Sequence, residues 1–190
     1  DSEVRLAAMK TGGNRLSQEQ LLAALRDEDH EVRREVEAIL GRQGTQAPIE
    51  ALQASLDHEN GHVRASAARV LEKLEIPVSL EPLAVLLQDG NIDSGICLDL
   101  VDALGTVKSQ ASANLLLSFL SRRGSASLCH TAAKALSKLG GHAPVTSLVA
   151  LFHDPYIYTR SYVAEALGGL GELAPIEPLL AALEDEEWYV

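Results

Sequence analysis

Apolar residues recur along this chain with the period of a helix, not of a strand. After Asn60, the positions Val63, Ala67, Val70, Leu71 and Leu74 fall on one face of an α-helix. The same stripe ends at Leu40, Leu71, Leu104, Leu136 and Leu167, so it returns after steps of 31, 33, 32 and 31 residues. A second apolar segment lies between the copies, at residues 21–25, 49–56, 80–87, 115–120, 145–152 and 176–183. Each unit therefore predicts a pair of helices. Neither helix can bury its stripe alone, so neighbouring units must stack and share a core.

The punctuation fits this reading. Ser17 with Gln20 forms a capping-box signature ahead of Leu21. Pro48 and Pro144 stand near the start of an intervening helix, where a missing N–H costs little. Gly41, Gly105, Gly140 and Gly171 follow the end of a stripe and predict left-handed stops there. Asp27, Asp57, Asp154 and Asp185 mark the turn that precedes a copy.

An Asp, then Val-Arg about six residues on, then Ala-Ala and Ala-Leu-Gly-x-Leu-Gly, is seen most fully in residues 27–41 and 154–171. This pattern resembles the short bacterial HEAT-like repeat of phycobilisome lyases, and the resemblance covers essentially the whole chain. It implies an all-α fold, a right-handed α-solenoid of stacked helix pairs with the Val-Arg helices lining the concave face. Residues 1–190 then form a single array: about five full units, a half unit at the N-terminus and an incomplete unit at the C-terminus. Asp1-Ser2-Glu3-Val4-Arg5 aligns with Asp29-His30-Glu31-Val32-Arg33, and Val190 aligns with Thr159. Neither end shows a polar capping repeat, so a piece of a longer array is expected. The alternative is a processed start with a natural end. The resemblance also implies a structural ladder of turn carboxylates and arginines, carried by Asp27 with Arg33, Asp57 with Arg64 and Asp154 with Arg160. It lapses where Cys97 and Cys129 take the arginine position.

Composition narrows the function classes. The 190 residues carry 16 basic and 27 acidic side chains, a net charge of −11, and 46% are hydrophobic. The apolar fraction excludes a disordered chain. The acidic total argues against a dedicated duplex-DNA binder, which needs cationic contacts to phosphates. No apolar run approaches the roughly 18 residues that span a bilayer, so no membrane association and a cytoplasmic location are expected.

Candidate chemistry is sparse. Cys97 and Cys129 occupy equivalent helices, roughly 8–10 Å apart by helix packing, beyond the reach of about 7 Å that a disulfide requires. They read as small, partly buried thiols, with redox chemistry or bilin attachment as the alternative. Deoxyhypusine hydroxylases, di-iron enzymes built from such repeats, need His-Glu pairs directly after the arginine position. Here that slot holds Arg34-Glu35, Ala65-Ser66, Leu98-Asp99, His130-Thr131 and Ser161-Tyr162. No nucleophile elbow, Walker loop, HExxH or paired CxxC occurs. No catalytic residue, metal or cofactor is therefore assigned. The paired acids Glu35 with Glu37 and Asp99 with Asp102 read as solvated helix faces.

Binding is the remaining class. No acid occurs between Ala103 and His153, a window holding Lys108, Arg122, Arg123, Lys134 and Lys138. That zone either steers an acidic partner or is a plain solvated face. The aromatics all lie at or beyond Phe119. Tyr156 and Tyr158 share a turn whose next copy holds Trp188 and Tyr189, and Tyr162 follows. These rings suit a binding hot spot, or they pack on a further repeat. Aligned on the leucines, Glu35, Ser66, Asp99, Thr131 and Tyr162 form one column; Ala38, Arg69, Asp102, Lys134 and Glu165 form a second. Both are expected to face the groove. The sequence thus predicts a non-catalytic scaffold binding another protein through Glu35, Ser66, Asp99, Thr131, Lys134, Lys138, Tyr156, Tyr158 and Tyr162. The resemblance allows an accessory subunit of a bilin lyase or isomerase instead, and the basic middle units allow nucleic-acid binding as a weaker third reading. Leu179, Leu180 and Leu183 are expected to leave an apolar edge that favours end-to-end self-association.

Overall fold

The computed structural model describes residues 1–88, 93–121 and 126–187; Arg122, Arg123, Trp188, Tyr189 and Val190, named above, lie outside the described residues. Within them every regular element is helical. In order these are α1 (Ser2–Gly12), α2 (Gln18–Ala24), α3 (His30–Arg42), α4 (Ile49–Ala54), α5 (Gly61–Lys73), α6 (Glu81–Gln88), α7 (Ser94–Thr106), α8 (Gln110–Ser121), α9 (Ala126–Lys138), α10 (Val145–Ala150), α11 (Ile157–Gly168) and α12 (Ile176–Ala182). The odd-numbered helices carry the Val-Arg stripe, and the even-numbered ones carry the second apolar segment.

Two compact units result, Asp1–Ile96 and Cys97–Val190. In the first, α3 packs between α1 and α5, while α2 lies on α3 and both α4 and α6 lie on α5. In the second, α8 and α11 pack on α9, and α10 and α12 pack on α11. Each unit is all-α and built from the stacked helix pairs that the periodicity predicts, in keeping with the solenoid that the resemblance implies. Leu40, Leu71, Leu104, Leu136 and Leu167 are all completely buried. Each such leucine contributes roughly 1.5–3 kcal/mol through burial, so the stripe is a main source of cohesion between the stacked helices within each unit.

Local signals set where the helices begin. The Ser17 hydroxyl accepts the Gln20 N–H, and the Gln20 side chain accepts the Ser17 N–H, completing the capping box. Asp29 and Asn60 cap α3 and α5 by accepting the N–H groups of Glu31 and His62. Pro48, Pro144 and Pro175 immediately precede α4, α10 and α12.

The helix stops differ in part from expectation. Gly140 and Gly171 do take a left-handed backbone, with φ of 54° and 60°. Gly41 and Gly105 do not, because they lie inside α3 and α7. Their reason is close approach: a Cβ on Gly105 would sit 2.7 Å from the Ala135 Cα, and one on Gly41 would sit 3.2 Å from the Lys73 side chain. The left-handed residue comes four positions after the anchoring leucine, at Gly44, Glu75, Gly140 and Gly171. Glu75 adopts φ of 59° with a full side chain, a conformation that costs roughly 1–2 kcal/mol for an L-residue.

Candidate functional site

Two of the repeat turns are held by arginine forks. Arg5 donates from Nε and Nη2 to the two carboxylate oxygens of Asp27, at 2.7 and 2.9 Å. Arg160 does the same to Asp185, at 2.7 and 2.9 Å. Each fork therefore joins one turn to the next. Arg33, Arg64 and Arg160 also donate to the carbonyl oxygen six residues back, at Asp27 (2.8 Å), His58 (2.6 Å) and Asp154 (2.9 Å). Arg64 adds a bond of 2.9 Å to the carbonyl of Pro82. Within the expected pairs, Arg33 holds the backbone carbonyl of Asp27 and Arg160 that of Asp154, and each guanidinium also attracts the carboxylate of the same aspartate. The Asp27 carboxylate faces the preceding turn because its Oδ1 also accepts the Asp29 N–H at 2.9 Å. Asp57 is exposed at the end of a single turn of 3-10 helix. The fork from Arg5 holds the Asp27 carboxyl below the usual range, and the fork from Arg160 does so for Asp185.

Between α3 and α5 the column residues are turned inward. Glu37 is 2% exposed and Arg69 is 6% exposed. Arg69 donates from Nε to Oε2 of Glu37 (3.0 Å) and from Nη2 to Oε1 (2.7 Å), and the Ser66 hydroxyl donates to Oε1 (2.6 Å). Ser66, expected in the groove, is completely buried, and Glu37 is not a solvated acid. The reason is reciprocal: a buried carboxylate is tolerated only with paired charge and filled lone pairs, and these two residues supply both. Glu35, by contrast, is half-buried and reaches Arg42 at 3.5 Å.

The second unit arranges the same columns toward solvent. Lys134 and Lys138 are exposed on α9. Lys138 Nζ meets Asp102 of α7 at 2.8 Å, which neutralises part of the basic zone. Asp99 is half-buried on α7, and Thr131 is half-buried with its hydroxyl on the Ser127 carbonyl at 2.9 Å. His130 Nδ1 lies 2.9 Å from Oε2 of Glu165, and its ring is 6.4 Å from that of Tyr162. Tyr156 and Tyr158 meet edge to face, with ring centroids 5.2 Å apart, and are 38% and 46% exposed.

These tyrosines wall a cleft of about 280 Å³ at the N-terminal ends of α9 and α11, over Leu120, Cys129 and Thr159. Cys129 and Thr159 are buried, and the Thr159 hydroxyl points at the Leu120 carbonyl, 3.5 Å away. Burial pushes the Tyr162 phenol above its ordinary range and does the same for the half-buried Cys97 thiol. Neither cysteine is in a disulfide, and the Cys129 thiol donates to the Phe119 carbonyl at 3.7 Å. A larger and more open depression of about 590 Å³ lies in the first unit beside Arg64 and Pro82, but its arginine is committed to backbone carbonyls. The tyrosine cleft is therefore the better-built recess.

Of the residues expected to bind, the structure gathers Tyr156, Tyr158 and Tyr162 into one cleft and sets Lys134 and Lys138 on an adjoining helix. It removes Ser66 from any surface. Two partners escaped the sequence reading although a signal was present: Arg5 shares the register of Arg33, and Glu37 precedes Arg69 by 32 residues, one repeat.

Residues 18–94 match the family model described as HEAT repeats, and residues 159–185 match the PBS lyase HEAT-like repeat. No curated protein matches the chain. Among the described residues, no helix is long and apolar enough to cross a membrane.

Proposed function

The chain is a HEAT-like repeat protein of the phycobilisome-lyase type, and from that premise we propose that it is a non-catalytic scaffold that holds another protein on α9, α11 and the turn between α10 and α11. Repeat arrays present extended surfaces suited to such work. The observation that carries the reading is the half-exposed tyrosine pair Tyr156 and Tyr158 beside Tyr162, next to the exposed Lys134. Tyrosines that bury large area at low entropic cost are the usual anchors of an interface. The basic Lys134 and the half-exposed Glu165 then give the partner a fixed polarity along the two helices.

The test is affinity capture with the wild-type chain and with Lys134→Glu/Tyr162→Ala. A protein retained by the first and lost from the second supports the proposal, provided both melt alike. Equal retention by both contradicts it. The match over residues 159–185 also favours a second reading, an accessory subunit of a bilin lyase or isomerase. A shifted bilin absorbance band on incubation with phycocyanobilin would select that reading over the scaffold.

A further inference from the structure

We propose that the exposed face of α11 and α12 that carries Gly168, Leu180 and Leu183 is a seat for a basic amphipathic helix supplied by another protein. It is a second surface and does not depend on the scaffold reading above. The first argument is register. The residue after the anchoring leucine is Gly41 on α3, Gly105 on α7 and Gly168 on α11. A Cβ on Gly41 would meet Lys73 of α5, and one on Gly105 would meet the backbone of Ala135 of α9. This glycine therefore marks where an incoming helix makes its close approach. A Cβ on Gly168 would meet no neighbour within 4 Å. The position sixteen residues after the leucine follows the same rule. Leu56 and Leu120 are 6% and 1% exposed where α5 and α9 follow, whereas Leu183 is 81% exposed. Ile176 and Leu180, at 70% and 57%, extend the stripe along α12 with the i, i+4, i+7 spacing of one helical face. Thus α11 and α12 present the surface that α3 with α4, and α7 with α8, cover with a helix. Among the described residues no helix covers it.

The second argument is charge. Residues 161–190 hold seven acids and no lysine or arginine. Glu177 and Glu184 are exposed on α12. They flank the apolar stripe two turns from each other, about 10 Å along the axis. The filled seats show what such a surface receives. Lys73, with its stem over Gly41, and Lys138, whose Nζ meets Asp102 of α7 at 2.8 Å, occupy the same register of α5 and α9. The counterpart of Asp102 on α11 is Glu165, so an incoming lysine at that register meets a carboxylate. His130 takes only its Oε2. A second copy of the chain is the poorer occupant: its α1 stops at Gly12, has Asn14 at the lysine register and belongs to a chain of net charge −11. An acidic helix would meet like charge, and a neutral one would gain nothing from the carboxylates.

The probe is a fluorescein-labelled peptide of about 18 residues, long enough to form a helix, with leucines on one face and lysine and alanine elsewhere. Its analogue with glutamine for every lysine is the comparison, and both are titrated against the full chain by fluorescence anisotropy. The proposal expects saturable binding of the lysine peptide. The glutamine peptide should bind about tenfold more weakly, because several exposed ion pairs of modest strength are lost together. Gly168→Leu should also cost about tenfold, since its side chain enters open space and fills the close-approach position. Glu177→Gln with Glu184→Gln, both exposed, should weaken binding several-fold and keeps the test open if Gly168→Leu does not fold. Failure of the lysine peptide to saturate overturns the proposal. Equal affinity of the two peptides, or of wild type and Gly168→Leu, does so too. A dimer in sedimentation equilibrium that Gly168→Leu dissociates also overturns it and assigns the seat to a second copy.

Discussion

The α3–α5 interface of the first unit and the α9–α11 interface of the second share one backbone register and use it in opposite ways. Position by position, Glu37 corresponds to Ala133, Ser66 to Tyr162 and Arg69 to Glu165. In the first interface a buried acid draws the serine and the arginine inward until all three are enclosed. In the second a buried alanine makes no such demand, and the tyrosine and glutamate stay partly exposed beside His130. The arginine position contrasts in the same way: Arg33 holds the backbone carbonyls of Asp27 and Glu28, whereas its counterpart Cys129 lies on the floor of the recess beside the tyrosines. One interface encloses its polar residues in the core; the other leaves them partly exposed. A repeat column therefore does not carry a fixed role. The residue facing it on the preceding helix decides whether it is core or surface.

The largest effect that separates the two interfaces should come from Arg69→Ala. Removing it strands the buried Glu37, which should cost about 3–5 kcal/mol. Glu165→Ala, its counterpart, faces solvent and should cost less than about 1 kcal/mol. Urea denaturation of both variants checks this, and similar losses would dissolve the contrast. Next, Arg64→Ala removes two charge-assisted bonds and should cost about 1.5–3 kcal/mol, while Cys97→Ala at the equivalent half-buried position should stay within about 1 kcal/mol. Paired thermal melts measure the difference.

Acid sensitivity should be smaller and shared by both units. Asp27 and Asp185 are held below the usual carboxyl range by Arg5 and Arg160. A carboxyl depressed in the folded state contributes its full stability above the unfolded value, about 3.9, and loses it as pH falls through the lower folded value. Melting temperature should therefore drop below about pH 4, and Arg5→Gln with Arg160→Gln should flatten that drop. The smallest effect concerns the stop at Glu75. Glu75→Gly relieves the left-handed strain but adds chain entropy, so it should stabilise by no more than about 1 kcal/mol. A loss of stability on that change would show that the Glu75 side chain makes up for the strain.

The fold was legible because its signals are local and repeated. The stripe of Leu40, Leu71 and their copies, the capping box at Ser17 and the turn acids each recur or act within a few residues. The site was legible only in part. Tyr156, Tyr158 and Tyr162 stood out by type and clustering, but the burial of Ser66 depends on Glu37, which lies on a different helix 29 residues away. The acids and arginines of the ladder are legible by type and spacing, but the bonds of Arg33 and Arg160 to their own turns are not, because they end on a carbonyl, which every residue possesses. Gly41 and Gly105 read as stops for a similar reason: the contact that requires a small residue comes from a neighbouring repeat.

Amide hydrogen exchange of the protein with and without its captured partner tests the central claim most directly. The account predicts added protection in α9 and in residues 154–162, with little change in α4, where the exposed Glu50 and Gln53 lie. Protection centred on α4 or α10, with α9 and the tyrosine turn unchanged, would contradict it.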